Sequence, residues 1–184
     1  EPDRVPVDLG GTIMSGIMAE ALVRLRRHMK LEPRPVKVYD TFQMLGEVEM
    51  DVVEALSVDV LPVEPHVLWF GLRNENYKPW RLFDGTEVLV PGQFQVEIAP
   101  SGDWLLHEGG DPGKPIVARM PHGGYYFDLS TGHLDHLDFQ PPPLSGMEKR
   151  YAQPIPDEKM DFLAAKAQRL RKTGKALVLG DWQD

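Results

Sequence analysis

Two textures of hydrophobicity alternate along this chain. In the first, short runs are almost wholly apolar: Val5-Pro6-Val7-Asp8-Leu9, Val58-Asp59-Val60-Leu61-Pro62-Val63 and Ala176-Leu177-Val178-Leu179. Such runs, with little polar alternation, predict strands covered on both faces, as in a parallel sheet. They place strands at residues 4–9, 57–63 and 175–180. Between them the apolar positions take helical spacing. Residues 16–30 carry Ile17, Ala21, Leu22, Leu25 and Met29 on one face, and Pro33 and Pro35 stop the helix. Residues 36–39 read as a brief extended piece. Asp40 or Thr41 is expected to cap a second helix with Leu45, Val48, Val52, Val53 and Leu56 on its buried face. A third helix is expected over residues 157–172, with Met160, Leu163, Ala164, Ala167 and Leu170 aligned and Thr173-Gly174 ending it.

The second texture fills the middle. Residues 80–90 read as a hairpin, with Asp84-Gly85 as a type I′ turn signal. Residues 93–98 and 104–107 form another, turned by Pro100-Ser101-Gly102-Asp103. Residues 116–120 and 124–129 add two further strands to an antiparallel meander, and Pro141-Pro142-Pro143 closes it as a stiff linker.

Three helix-fed apolar strands predict an α/β fold of barrel type. A closed (β/α)8 barrel needs eight strands and about 250 residues. The expected architecture is therefore the N-terminal part of a (β/α)8 TIM barrel with an inserted antiparallel β-meander. Residues 1–66 hold the first barrel βα units and residues 67–140 the insertion. Residues 141–184 hold a linker, a helix and the third barrel strand. The start at Glu1 without Met, and an end just after a strand, are read as the edges of an excised fragment.

Charge and composition narrow the function. A net charge of −8 over 184 residues argues against a nucleic-acid binder. No apolar run approaches the roughly 18 residues of a membrane span. With no cysteine, disulfide frameworks and thiolate metal sites are excluded within this segment, and a cytoplasmic setting is the expectation.

The candidate chemistry sits where the strands end. Gly10-Gly11-Thr12 has neither the spacing of a P-loop nor that of a dinucleotide fingerprint, and reads as a tight, ligand-facing strand exit or as a plain turn. Asp8, inside an apolar run, requires a partner: a structural ion pair is favoured over a substrate-facing acid. Glu64 and His66 follow the second strand, where barrel enzymes place working residues, and a carboxylate beside an imidazole suits acid–base work or a metal. They could equally be loop residues without a role. His133, Asp135, His136 and Asp138 have metal-ligand spacing but read better as a solvated loop. Tyr125-Tyr126-Phe127 reads as strand core ahead of a stacking platform. Trp69, Trp80 and Trp104 read as packing for the meander.

Two phrases, "EPDRVPVDLGGT" and "VKVYDTFQMLGEVEMDVVEALSVDVLPV", resemble the uroporphyrinogen decarboxylase superfamily, and within it the branch of cobalamin-dependent methyltransferases. The block from "KPWRLFDGTEVLVPGQFQVEIAPSGDW" to "ARMPHGGYYFD" is similar to a β-rich insertion in that branch. The resemblance implies a single (β/α)8 barrel and corrinoid-dependent methyl transfer to a small acceptor. A corrinoid, or a protein carrying one, would be the methyl donor. Asp8, Gly10, Gly11, Thr12, Glu64 and His66 would line the substrate mouth. It also implies a zinc ion held by one His and two Cys from later strands, none of which lies in this segment. The fragment alone is then expected to be inactive, and a homodimer is a further expectation. Two other readings stay open: uroporphyrinogen decarboxylation, and a non-catalytic binding module. The decarboxylases carry an Arg-x-x-x-Arg pair after the first strand, whereas residues 10–16 here contain no arginine.

Overall fold

The computed structural model describes residues 4–129, 143–152 and 154–180 of the chain. It is a mixed α/β structure with three small sheets, and no closed barrel forms among the described residues. The His133–Asp138 motif lies outside them.

Helix α1 (Ala19–His28) opens the ordered part. It starts later than its apolar spacing suggests, because Met18 bridges Leu45 and is held extended. Ala19 and Leu22 are buried beneath it. Its end is a Schellman-type closure: Lys30 N–H donates to the Arg27 carbonyl and Leu31 N–H to the Arg26 carbonyl, with Lys30 at φ +59°.

Strand β1 (Val36–Asp40) is a central strand rather than a brief extended piece. The helix expected from Asp40 onward is not there. Asp40 Oδ1 instead accepts the Gln43 N–H at 2.7 Å, capping a tight turn that Met44 leaves at φ +54°. The chain doubles back as β2 (Leu45–Gly46), antiparallel to β1. Close approach of α1 explains why this edge is a strand: a Cβ on Gly46 would lie 2.6 Å from Val36 Cγ1 and 3.2 Å from Ala19 Cα. Only α2 (Met50–Ala55) remains of the expected helix, burying Val52 and Val53. Ser57 at φ +53° ends it and leads to β3 (Val60–Pro62).

The first antiparallel hairpin, β4 (Lys78–Arg81) and β5 (Glu87–Val90), joins β1 instead of the later strands. The order is β2-β1-β5-β4, with β1 and β5 parallel. Its turn is not type I′, since Asp84 has no positive φ. Gly85 N–H donates to the Leu82 carbonyl, Gly85 sits at φ +84°, and Leu82 N–H reaches Thr86. This is a three-residue loop with a left-handed glycine. The same hydrogen bonds recur from Ala99 to Asp103, between β6 (Val96–Ile98) and β7 (Trp104–His107), with Gly102 at φ +86°. Strands β8 (Ile116–Met120) and β9 (Asp128–Leu129) complete the antiparallel sheet β6-β7-β8-β9. The expected meander is thus divided between two sheets. One apolar core joins them: Val36, Val38, Val88 and Val90 meet Phe94, Trp104, Leu106, Ala118, Met120 and Phe127. Trp80 and Trp104 pack as expected, edge-on at 5.5 Å. Of Tyr125-Tyr126-Phe127 only Phe127 is core, and both tyrosines are about half exposed.

Helices α3 (Leu144–Tyr151) and α4 (Asp157–Arg171) follow, with Gly174 at φ +72° just past α4. The last strand, β10 (Ala176–Val178), pairs in parallel with β3. Residues 4–9 run along the other edge of β3, where the Asp59 N–H donates to the Val7 carbonyl at 2.8 Å. They are not the buried strand expected, and Val5 is 83% exposed. Val7 is exposed as well, and of the apolar side chains here Leu9 packs against the core.

Two outcomes test this packing. Gly110 sits at φ +71°, and a Cβ there would fall 1.8 Å from the Gln93 carbonyl oxygen. Gly110→Ala is expected to destabilise the fold by about 1–3 kcal/mol, read as a lower urea midpoint at unchanged slope. Asp103 accepts hydrogen bonds from Ser101, His122 N–H and Arg119, which hold its carboxyl down at about 2. A depressed acid stabilises the fold above its unfolded value of about 3.9 and loses that contribution as pH falls to the folded value. Stability should therefore drop between about pH 4 and 2, and Asp103→Asn should flatten that limb in acid titrations of the midpoint.

Candidate functional site

β3 and β10 are parallel and end on the same side; residues 4–9 pass beside Asp59 to the same place, and β1 delivers Asp40 there. A small cavity forms there, lined by Gly11, Thr12, Tyr39, Asp40, Glu64 and Trp69, among others. Its volume is about 30 Å³, enough to admit a water-sized group.

Each wall has a local cause. Asp8 Oδ1 accepts the Gly11 N–H at 2.9 Å, and Gly10, at φ +81°, donates to the Ser15 carbonyl. The lip is therefore a side-chain-capped turn, in which a Cβ on Gly10 would strike Val48 Cγ2 at 2.7 Å. Asp8 is exposed and serves this turn, where burial and an ion pair were expected. Thr12 offers its carbonyl to the Tyr39 hydroxyl at 3.5 Å. Burial, with Asp40, Glu64 and Asp8 nearby, pushes the Tyr39 phenol well above its usual range.

Asp40 is 2% exposed. Its Oδ1 is used by Gln43, while its Oδ2 is buried with no hydrogen-bond partner. Burial raises its carboxyl, and the Gln43 and Phe42 N–H groups and the nearby Trp69 indole pull the other way. The Trp69 Nε1–H is likewise buried, close enough to Asp40 to act on its charge but without a well-formed hydrogen bond. Trp69 is fixed from behind, since the Thr41 hydroxyl donates to its carbonyl at 3.2 Å and Phe42 packs on its ring at 5.2 Å. The next residue, Phe70, is held at φ +67°, a costly conformation for a bulky side chain.

Glu64 turns its carboxylate to Lys166 of α4, and both side chains are largely buried. Burial raises the Glu64 carboxyl and Lys166 opposes that rise. Behind it lies a second cavity of about 370 Å³ with Lys37, Glu47, Tyr77 and Arg169 on its walls. His66 is not at the mouth. It stacks on Phe162 at 4.7 Å, 3.8 Å from Glu158, and borders a separate cleft of about 410 Å³ with Phe70 and Arg73. The structure therefore gathers Gly11, Thr12 and Glu64, uses Asp8 and Gly10 to shape their turn, and sets His66 apart. Tyr39, Asp40 and Trp69 were not singled out as site residues from the sequence. The one available signal was an acid closing the apolar stretch 36–39, the same pattern that drew attention to Glu64.

Among the described residues no group of three His, Asp or Glu side chains could hold a metal ion. With no cysteine in the chain either, the residues present do not fit the zinc set that the resemblance implies. No helix among the described residues is long and apolar enough to cross a membrane.

The Glu64–Lys166 pair makes a separable prediction. Lys166→Met alone should destabilise by about 3–5 kcal/mol, because it strands a buried carboxylate, whereas Glu64→Leu with Lys166→Met should recover most of that loss in urea unfolding. Comparison with family models, with curated proteins and with solved structures finds no match to this chain.

Proposed function

We propose that this chain carries the first three strands of a (β/α)8 barrel enzyme of the uroporphyrinogen decarboxylase superfamily, in its corrinoid-dependent methyltransferase branch. The observation that carries the reading is the parallel pairing beside the mouth. β3 and β10 pair in parallel, residues 4–9 bond to Asp59 just before β3, and α4 leads into β10. The ends of both strands and of residues 4–9 meet at one mouth, where barrel enzymes keep their chemistry. The β4–β9 region falls between β3 and β10 in sequence, as an insertion would.

Charge at the mouth favours methyl transfer over decarboxylation. The cavity is walled by Asp40 and Glu64, with no arginine or lysine lining it. Lys166, just behind, is engaged by Glu64. A porphyrinogen bearing eight carboxylates would meet negative walls there, whereas a small neutral acceptor would not. A methyl-corrinoid, when bound, would supply the methyl group, leaving its bonding electrons behind. The acceptor loses a proton and gains the methyl. This chain's own residues would orient that acceptor: the Gly10–Thr12 turn as a backbone lip, Trp69 as an aromatic wall and Asp40 as the nearest proton acceptor. No step is assigned to zinc.

The test is to incubate the native protein, with every residue its gene encodes, with methylcobalamin and the small neutral thiol 2-mercaptoethanol. Protein-dependent loss of the methyl–cobalt absorbance, with the S-methyl product seen by mass spectrometry, is the expected result. Loss of carbon dioxide from uroporphyrinogen without methyl transfer would move the protein to the decarboxylases. Neither reaction would leave a binding module and overturn the proposal.

A further inference from the structure

We propose that a cleft between the start of α1, the β4–β5 loop and the sheet β6-β7-β8-β9 binds a small quaternary ammonium ion. The cleft has a volume of about 160 Å³ and is lined by Glu20, Phe83, Asp84, Trp104, Met120 and Tyr125, among others. It shares no lining residue with the mouth, and the proposal does not depend on the methyltransferase reading. The argument begins with Glu20. It is 6% exposed, yet no other residue among those described donates a hydrogen bond to its carboxylate. Burial raises that carboxyl; its own N–H opposes the rise, and nearby Asp84 adds to it. Arg24 also acts on Glu20, but its guanidinium donates to Asp84, at 2.7 Å. Two carboxylates thus share one arginine, and among the described residues no lysine, arginine or histidine lines the cleft. A buried carboxylate without its own cation is costly.

The other walls decide which cation fits. Phe83, Trp104 and Tyr125 are aromatic, and Leu82 and Met120 add apolar surface. Such walls cannot replace the water around a strongly hydrated cation. Nor is there a metal shell, since no group of three His, Asp or Glu side chains among the described residues could hold a metal ion. An anion would be repelled by Glu20 and Asp84. A neutral apolar group would leave Glu20 unpaired. A quaternary ammonium joins a positive charge to an apolar skin, so it suits both the carboxylates and the rings. The size agrees: an apolar cavity of about 150 Å³ holds benzene, and tetramethylammonium is comparable. Most of the cleft is built in advance. Phe83 stacks on Trp104 at 4.1 Å. Asp103 accepts the His122 N–H at 2.8 Å, and the Gly124 N–H donates to the Pro121 carbonyl at 2.7 Å, with Gly123 at φ +77°. This tight turn delivers Tyr125 to the rim. Tyr125 is 55% exposed and makes no hydrogen bond or ring contact among the described residues, so its ring is free to cover the cation. Fixed walls with one free ring keep the ordering cost of binding low.

The backbone N–H signals of Gly123 and Gly124 and the Trp104 indole signal report on the cleft in a 15N-labelled sample of the whole protein. Tetramethylammonium chloride is the probe. Sodium chloride at the same concentration controls for ionic strength. The neutral tert-butyl alcohol, of similar shape, controls for apolar binding. The expected result is a saturable shift of the three signals with tetramethylammonium and none with either control. The Gly71 and Gly174 signals, which lie elsewhere, should stay unmoved. Glu20→Gln should raise the Kd of the probe about tenfold, by removing the unpaired charge. Tyr125→Ala, at a half-exposed position, should raise it about threefold. Unmoved Gly71 and Gly174 signals in a variant show that it is folded. If Glu20→Gln does not fold, Tyr125→Ala decides in its place. Absence of a saturable shift, an equal response to either control, or an unchanged Kd in the deciding variant overturns the site. The measurement involves no turnover, so its outcome stands apart from that of the methyl-transfer test.

Discussion

Asp59 holds three stretches of chain in register, and the mouth depends on it. Its N–H donates to the Val7 carbonyl and its carbonyl accepts the Ala176 N–H at 2.9 Å. Its carboxylate accepts the Val7 N–H at 2.8 Å and binds Arg4. The Val7 N–H, then Arg4, hold that carboxyl below its usual range, so it stays ionised as a brace. One residue thus spaces residues 4–9 and β10 on either side of β3. The distance between Gly11 and Glu64 at the far end of these segments follows from that spacing. Asp8 looked odd in an apolar run because the pattern suggests burial on both faces; residues 4–8 are exposed instead, and its carboxylate caps the turn at Gly11.

A second constraint fixes the depth of the mouth. α4 is tied to the loop after β3 by Lys166 reaching Glu64, and the start of β10 to the approach to β3 by the Lys175 ammonium donating to the Val58 carbonyl at 2.5 Å. A buried pair of this sort adds little net stability over an apolar pair, but it is costly to half-remove. It specifies which turn of α4 lies against the loop after β3. The consequence for chemistry is that Glu64 is occupied.

How much of this was legible in the sequence depends on range. Residues 157–172 and 175–180 were readable because helical spacing, Gly174 and a short apolar run all agree locally. The loops at Asp84-Gly85 and Ser101-Gly102 were readable as turns, but the turn type was not, since it is set by the pairing of the flanking strands. The 40–56 helix failed for a tertiary reason. Leu45, Val48 and Val52 do have helical spacing, but Gly46 lets α1 approach within contact of β2, and pairing with β1 outweighs the local preference. At the mouth, Gly11, Thr12 and Glu64 could be anticipated, because each follows an apolar run. Trp69 could not, because its role is set by the left-handed Phe70 and by Thr41, which is far from it in sequence.

The parallel pairing of β1 with β5 carries the last step. A meander folded by itself would present β4 and β5 to β6. Instead the hairpin is drawn to β1, with Val36 opposite Val88 and Lys37 opposite Leu89. This places Phe94 and Phe127 under both sheets, and the Phe127 N–H donates to the Phe42 carbonyl at 2.8 Å. Phe42 lies between Phe70 at 6.1 Å and Trp69 at 5.2 Å. The aromatic core of the antiparallel sheet therefore backs directly onto the indole at the mouth. In physical terms the β-rich region acts as a buttress: close-packed rings transmit position with little give. The residue they position is Trp69, whose indole helps hold the Asp40 carboxylate charged.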